Sequence, residues 1–128
     1  MCYNCISPAT NLLFAGIKTV LDQIGFESII CDADLIITGE GRLDAQSMNG
    51  KVVFGVGEAA KEYGIPVIAL CGCTGRGYEE IYEHGISRVI TTAGAGMEPA
   101  EAMEHAEELY MKAAAKMFFE IKEQYRRS

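Results

Sequence analysis

Residues 38–51 concentrate side chains that can bind a phosphate, a carboxylate or a metal ion. The guanidinium of Arg42 offers a planar fork of donors for either anion, and Lys51 offers a compact positive charge. Asp44 and Glu40 are candidate ligands for magnesium, which takes one or two protein carboxylates together with phosphate oxygens. This pattern predicts a site for a phosphorylated or carboxylated small molecule.

Glycines in the same segment support that prediction, although a purely structural interpretation stays open. Gly39 and Gly41 allow backbone amides to approach an anion closely. The alternative is a tight turn with solvated charges, in which Ser47 or Asn49 caps the following helix. The spacing of the residues does not separate the two interpretations.

A second glycine-rich stretch, residues 72–77, is another candidate anion site, with a flexible turn as its alternative. Neither stretch is a standard nucleotide motif. A P-loop fails because Ala45 and Val52 stand where glycine and a hydroxyl residue are needed, and a dinucleotide fingerprint fails at Asp44. The candidate substrate- and phosphate-binding residues are Gly39, Glu40, Gly41, Ser47, Gly72 and Thr74.

The spacing of apolar residues predicts the elements that must position these groups. Helical spacing is found over 12–24, 52–63, 78–84 and 99–125, and short apolar runs at 35–37, 67–71 and 86–92 indicate buried strands. Alternation of apolar strands with helices predicts an α/β fold of three layers: an open, mostly parallel, Rossmann-like sheet with helices on both faces. We expect one domain, 1–128, with the loops 38–51, 72–78 and 91–98 at one edge of the sheet.

Composition excludes several classes of function. The 128 residues are 49% hydrophobic and carry a net charge of −7, which disfavours sequence-independent binding to nucleic acid. No apolar run approaches the roughly 20 residues of a membrane span, and the first residues do not resemble a signal peptide. We therefore expect a cytoplasmic protein with no membrane or nucleic-acid partner.

The five cysteines leave a different class of function open. Cys2 and Cys5 have the spacing of half a zinc site or of a redox pair, so a thiol or metal protein is an alternative hypothesis. Incidental thiols are the simpler interpretation. Cys31 and Cys71 are expected to behave as small buried hydrophobic residues.

One stretch of the sequence resembles a known family. The run 32–44, Asp-Ala-Asp-Leu-Ile-Ile-Thr-Gly-Glu-Gly-Arg-Leu-Asp, continues with Gln46-Ser47, Gly50-Lys51 and Gly55-Val56, and Gly64-Ile65-Pro66-Val67-Ile68-Ala69 follows. This pattern is similar to the signature of the bacterial type of glycerate kinase, and the similarity extends from about Ile17 to the last helix.

The resemblance implies a two-domain α/β enzyme that transfers the γ-phosphoryl group of ATP to a hydroxyl of D-glycerate with Mg²⁺. The matching positions imply that Gly39, Glu40, Gly41, Arg42, Asp44 and Lys51 are this chain's contribution to the active site. From their chemistry we expect Arg42, Lys51 and Asp44 to be catalytic, with Asp44 as a magnesium ligand or as the base toward the hydroxyl. Family chains are much longer, so the resemblance implies that this chain corresponds to the C-terminal part of a glycerate kinase and is inactive alone. A non-catalytic module that binds a phosphorylated small molecule is the alternative. An apolar edge on helix 99–125 could meet the missing N-terminal portion or a second copy of the chain.

Overall fold

The structure is a computed structural model that describes residues 10–128, with side chains from Gly16 onward. Two 3₁₀ turns, Ala45–Met48 and Tyr78–His84, accompany the helices and strands. In chain order the elements are α1 (Thr10–Gln23), α2 (Phe26–Ile30), β1 (Ile36–Leu43), α3 (Val52–Glu62), β2 (Val67–Thr74), β3 (Arg88–Thr91), α4 (Pro99–Glu104) and α5 (Ala106–Arg126). Within the described residues, no helix is long and apolar enough to cross a membrane.

The three strands form one parallel sheet in the order β1-β2-β3. Ile36 is in register with Val67, and Ile68 with Arg88, so all three strands end at the same edge. Parallel neighbours require crossover segments, and the helix between β1 and β2 supplies one of them. The predicted parallel α/β sheet is confirmed.

Both faces of β2 are covered, which also confirms the predicted layers. Val67 and Ala69 belong to a buried cluster that includes Val53 and Ala60 of α3. The alternate residues of β2 point to the opposite face, where α5 contacts β2 and β3 and its Met117 is buried. An apolar run such as that of β2 is expected for a strand with helices on both faces.

Two strands extend further than the apolar pattern indicates, so the predicted loops 38–51 and 72–78 were wrong at their starts. Strand β1 continues to Leu43, and the ladder pairs Glu40 with Cys71 and Arg42 with Cys73. Strand β2 continues to Thr74. Backbone hydrogen bonds sustain the ladder whatever the side chains are, whereas the apolar pattern reports only where both faces are buried.

The predicted helix 12–24 is confirmed as the single helix α1, whereas the predicted helix 99–125 is divided into α4 and α5. Gly25 adopts a left-handed conformation after the end of α1, and the short helix α2, which the apolar spacing did not predict, follows it and packs through the buried Ile30. His105 leaves helical geometry (φ −106°, ψ 19°) and separates α4 from α5. A break of one residue leaves the 3-4 spacing of apolar residues nearly intact, so periodicity alone does not reveal it.

Candidate functional site

The turn after β1 is organised by a reciprocal cap between Asp44 and Ser47. The backbone N–H of Asp44 donates to Oγ of Ser47 at 3.0 Å, and the N–H of Gln46 donates to Oδ1 of Asp44 at 3.0 Å. Ser47 is fully buried. This arrangement is a capping box, which satisfies amide groups that the start of a helical turn leaves without partners.

Three charged groups meet at this turn. Nε of Arg42 donates to Oδ2 of Asp44 at 3.1 Å, and Nζ of Lys51 donates to the carbonyl oxygen of Arg42 at 3.0 Å. The side chain of Arg42 is 62% exposed and that of Asp44 is 21% exposed. The guanidinium is therefore oriented by Asp44 and still accessible to a ligand. We call Arg42, Asp44 and Lys51 the charged triad.

The neighbours of Asp44 in the charged triad, Arg42 and Lys51, favour its ionised form. Desolvation alone would raise the pKa of the Asp44 carboxyl, but the hydrogen bonds from Arg42 and from the Gln46 N–H oppose it. The positive charges of Lys51 and Arg42 act in the same direction, and the net result is a pKa below the ordinary value of 3.8. At neutral pH the group is a carboxylate that can accept hydrogen bonds or hold a cation.

The second glycine-rich stretch packs directly against the charged triad. The N–H of Gly75 donates to the carbonyl oxygen of Leu43 at 2.7 Å, and the N–H of Ala45 donates to that of Arg76 at 3.1 Å. A Cβ on Gly75 would lie 2.7 Å from Nη2 of Arg42 and 3.0 Å from Cβ of Asp44. The absence of a side chain at Gly75 therefore makes room for the Arg42–Asp44 pair.

Gly75 is a site residue that the candidate assignments omitted. The sequence places Gly75 in the second glycine-rich stretch, residues 72–77. It does not indicate which glycine of that stretch lies next to Arg42 and Asp44. Only the hydrogen bonds between the two segments identify it.

A groove of about 890 Å³ lies beside the charged triad, on the sheet and against α4 and α5. This volume is in the range of small-molecule sites in proteins. Met97, Met103 and Tyr110 contribute to an apolar wall opposite the strands. The strand residues that line it are Gly39, Glu40, Gly41, Arg42, Leu70, Cys71, Gly72 and Cys73.

The structure divides the candidate residues between the groove and the turn. Gly39, Glu40, Gly41, Arg42 and Gly72 line the groove, whereas Asp44, Ser47, Lys51 and Thr74 do not. Arg42 belongs to both places and connects them. A Cβ on Gly72 would lie 2.6 Å from the carbonyl oxygen of Gly41, so the close approach of β1 and β2 there requires glycine.

The carboxylates of Glu40 and Asp44 do not form a shared metal site. Four residues of extended strand separate their Cα atoms by about 13 Å, and Oε1 of Glu40 already accepts the N–H of Gly41 at 3.0 Å. Among the side chains described, no cluster of three or more His, Cys, Asp or Glu residues could hold a metal ion. Asp44 alone fits the usual contribution of a protein to magnesium, which is one or two carboxylates beside phosphate oxygens.

Of the thiols that the structure describes, Cys71 and Cys73 lie on β2 and Cys31 follows α2. Cys31 is exposed, so the expectation that it is buried was wrong, because it follows the end of the short helix α2, which packs on the core through Phe26 and Ile30. Cys71 is buried as expected, and burial, with Cys73 and Glu40 nearby, raises its pKa to about 11. Cys2 and Cys5 lie outside the described residues, so the thiol or metal hypothesis stays untested.

Replacing Ser47 by alanine is expected to destabilise the fold by about 1–2 kcal/mol, because the N–H of Asp44 loses its acceptor at a buried position. Urea unfolding followed by circular dichroism measures this loss, with the exposed Gln46→Ala as the control. An unchanged unfolding midpoint would contradict the capping role of Ser47 and favour a role in ligand binding.

The fold and the site together define an α/β protein whose candidate ligand site lies at the carboxyl edge of a parallel sheet. In such folds, ligands bind beyond the carboxyl ends of the strands. Residues 6–122 match the Glycerate kinase family, and the chain belongs to that family. The predicted family is therefore confirmed.

Individual relatives agree with the family match. The chain is 44% identical over 102 residues to a glycerate kinase of Halalkalibacterium halodurans, covering 80% of this chain and 27% of the relative. It is 42% identical over 79 residues to a glycerate 2-kinase of Escherichia coli, covering 62% of this chain and 21% of the relative. The chain thus spans about a quarter of the length of the curated relatives that it matches.

A solved structure shows the same fold. A crystal structure from Salmonella typhimurium LT2, described as a glycerate kinase 2, is similar with a TM-score of 0.55 and 32% identity. The similarity covers 85% of this chain and 27% of the Salmonella chain. These matches do not establish a correspondence with the C-terminal part of a glycerate kinase, and that placement stays a prediction.

Proposed function

We propose that this chain supplies part of the active site of a glycerate kinase. The reaction transfers the γ-phosphoryl group of ATP to a hydroxyl of D-glycerate, releasing ADP and the hydroxyl proton. The observation that carries the proposal is the charged triad at the carboxyl edge of the sheet. Phosphoryl transfer depends mainly on positioning and on charge neutralisation, and Arg42 and Lys51 supply positive charge next to an oriented carboxylate.

The geometry suggests a separate role for each member of the charged triad. The exposed face of the Arg42 guanidinium would bind the carboxylate of glycerate or the phosphoryl group in transfer. Lys51 lies by the carbonyl of Arg42 and would add positive charge on the same side. Gly39, Gly41 and Gly72 would let backbone amides approach the substrate in the groove.

Asp44 is better suited to orienting groups than to removing a proton. Its pKa lies below the ordinary value, and a carboxylate with a lowered pKa is a weak proton acceptor. We therefore assign it to hold the attacking hydroxyl in line or to serve as one magnesium ligand. Bound magnesium would neutralise phosphate charge, as in other phosphotransferases. Glu40, which lines the groove, would contact substrate hydroxyls.

The proposal includes the setting in which the chain works. ATP, Mg²⁺ and glycerate are its small-molecule partners, and the cytoplasm is its expected location. Activity would require the portion of the family polypeptide that this chain does not span, because the groove is open and the charged triad is partly exposed.

A chimera tests the proposal. This chain would replace the matching segment of the Halalkalibacterium halodurans protein, and ADP formation would be coupled to NADH oxidation with ATP, Mg²⁺ and D-glycerate. We expect glycerate-dependent turnover by the chimera and little or none by the 128-residue chain alone. A folded chimera without turnover, beside an active parent protein, would favour the non-catalytic binding module.

A further inference from the structure

Within the part of the chain that the structure describes, helix α5 carries a second apolar face that is exposed. Met111, Phe118 and Phe119 are 63%, 57% and 65% exposed. At 100° per residue these positions, together with the exposed Ala115, fall within a sector of about 100°. Met117, which is buried against the sheet side, lies on the other side of the helix. We call these four residues the outer stripe.

The composition of the outer stripe is typical of an interface. Single exposed apolar residues are ordinary in soluble proteins, but contiguous apolar patches mark interaction sites. Two adjacent phenylalanines and a methionine lie within about 12 Å along the helix axis. Phenylalanine and methionine are enriched in the buried centres of protein interfaces.

We propose that the outer stripe is the docking surface for the portion of the glycerate kinase polypeptide that this chain does not span. The family match, residues 6–122, includes the whole outer stripe, so the surface belongs to the region shared with the relatives. About three quarters of the length of those relatives lies outside the matched region, and that polypeptide is the occupant we assign to the outer stripe. A second copy is the competing occupant, but a net charge of −7 opposes close pairing of two chains.

None of the four residues of the outer stripe lines the groove, whose residues on α5 are Ala106, Glu107 and Tyr110. Docking there would therefore fix the second part of the protein in place without filling the groove. This inference rests on the proposed function for its partner, but it concerns assembly rather than chemistry. Its test can therefore be independent of turnover.

The test compares Phe118→Lys/Phe119→Lys in the 128-residue chain and in the chimera. In the isolated chain we expect no loss of thermal stability, because both side chains are exposed and lysine suits a helix. In the chimera we expect the unfolding midpoint to fall by about 5 °C or more, since an interface residue would become a buried charge. Ile29→Lys on α2, which changes another exposed apolar residue, is the matched control and should leave the midpoint of the chimera unchanged.

Several results would overturn the proposal. The first is a chimera that does not fold. The second is a chimera whose unfolding midpoint, like that of the isolated chain, does not change with Phe118→Lys/Phe119→Lys. The third is a chimera whose midpoint falls with Ile29→Lys instead. Light scattering of the isolated chain adds another: a dimer that Phe118→Lys/Phe119→Lys dissociates would identify a second copy as the occupant. A stable chimera that shows the expected shift but no kinase activity would support the docking surface and contradict the proposed function.

Discussion

Replacing Asp44 by asparagine is expected to lower glycerate-dependent turnover of the chimera by a factor of about 100 or more. Asparagine retains an oxygen that can accept the N–H of Gln46, so the turn after β1 should keep its form. The substitution removes the negative charge that orients Arg42. Loss of one electrostatic group from a phosphoryl-transfer site typically costs two to three orders of magnitude, that is, about 100- to 1,000-fold.

The measurement is kcat and KM by the coupled assay, with circular dichroism to verify folding. Asp34→Asn is the matched control because it makes the same chemical change at an exposed position outside the charged triad. Turnover unchanged in Asp44→Asn would remove Asp44 from the mechanism. A rise in KM alone would restrict Asp44 to substrate binding.

The lowered pKa of Asp44 also has a consequence for stability. Because the folded pKa lies below the ordinary 3.8, the carboxylate stabilises the fold at pH values above that number. The contribution is lost as the pH falls through the folded pKa. The difference in unfolding midpoint between the parent protein and Asp44→Asn should therefore be present at pH 7 and shrink below pH 4.

The largest effect on stability is expected from Gly57→Ala. Gly57 is buried in α3, and a Cβ there would overlap the carbonyl oxygen of His84. The obstacle is backbone, so no side chain can rotate away. Gly85 packs against the same part of α3 with a φ of 88°. A Cβ on Gly85 would overlap the carbonyl oxygen of Gly57.

We expect Gly57→Ala to destabilise the fold by about 2–4 kcal/mol, because overpacking exceeds the helix propensity that alanine gains. Urea unfolding of the 128-residue chain measures it. The matched control is Gly16→Ala in α1, where no described atom outside the helix's own backbone lies within 4 Å of the added Cβ, and it should raise stability by up to about 1 kcal/mol. A Gly57→Ala protein as stable as its parent would show that α3 and the second 3₁₀ turn can separate without cost.

Much of the fold follows from local properties of the sequence. The apolar runs at 35–37 and 67–71 lie in parallel strands, and the spacing of Val53, Val56 and Ala60 describes the buried face of α3. These features are readable because a strand buried on both faces needs consecutive apolar residues, whereas an amphipathic helix needs one apolar side. The ends of β1 and β2 could not be predicted from the apolar pattern, since residues such as Arg42 and Cys73 pair through the backbone and line the groove.

The candidate site shows the same division. The residue types in 38–51 predicted a site for an anionic small molecule, and this stays a prediction. Which groups touch was decided by contacts between segments distant in sequence. Gly75 borders Arg42 and Asp44 because the residues at the ends of β1 and β2 are hydrogen bonded to each other. The spacing of residues within one segment does not predict a contact between two segments.

The sequence by itself determined the class of fold, the family and the residue types of the candidate site, because these depend on periodicity and on a contiguous motif. The tertiary structure alone decided that Glu40 faces the groove while Asp44 belongs to a turn, and that Ser47 is buried. It also decided that the outer stripe of α5 is left exposed. Burial and contact result from how elements pack in space, and helical spacing does not state which of two apolar faces the sheet will cover.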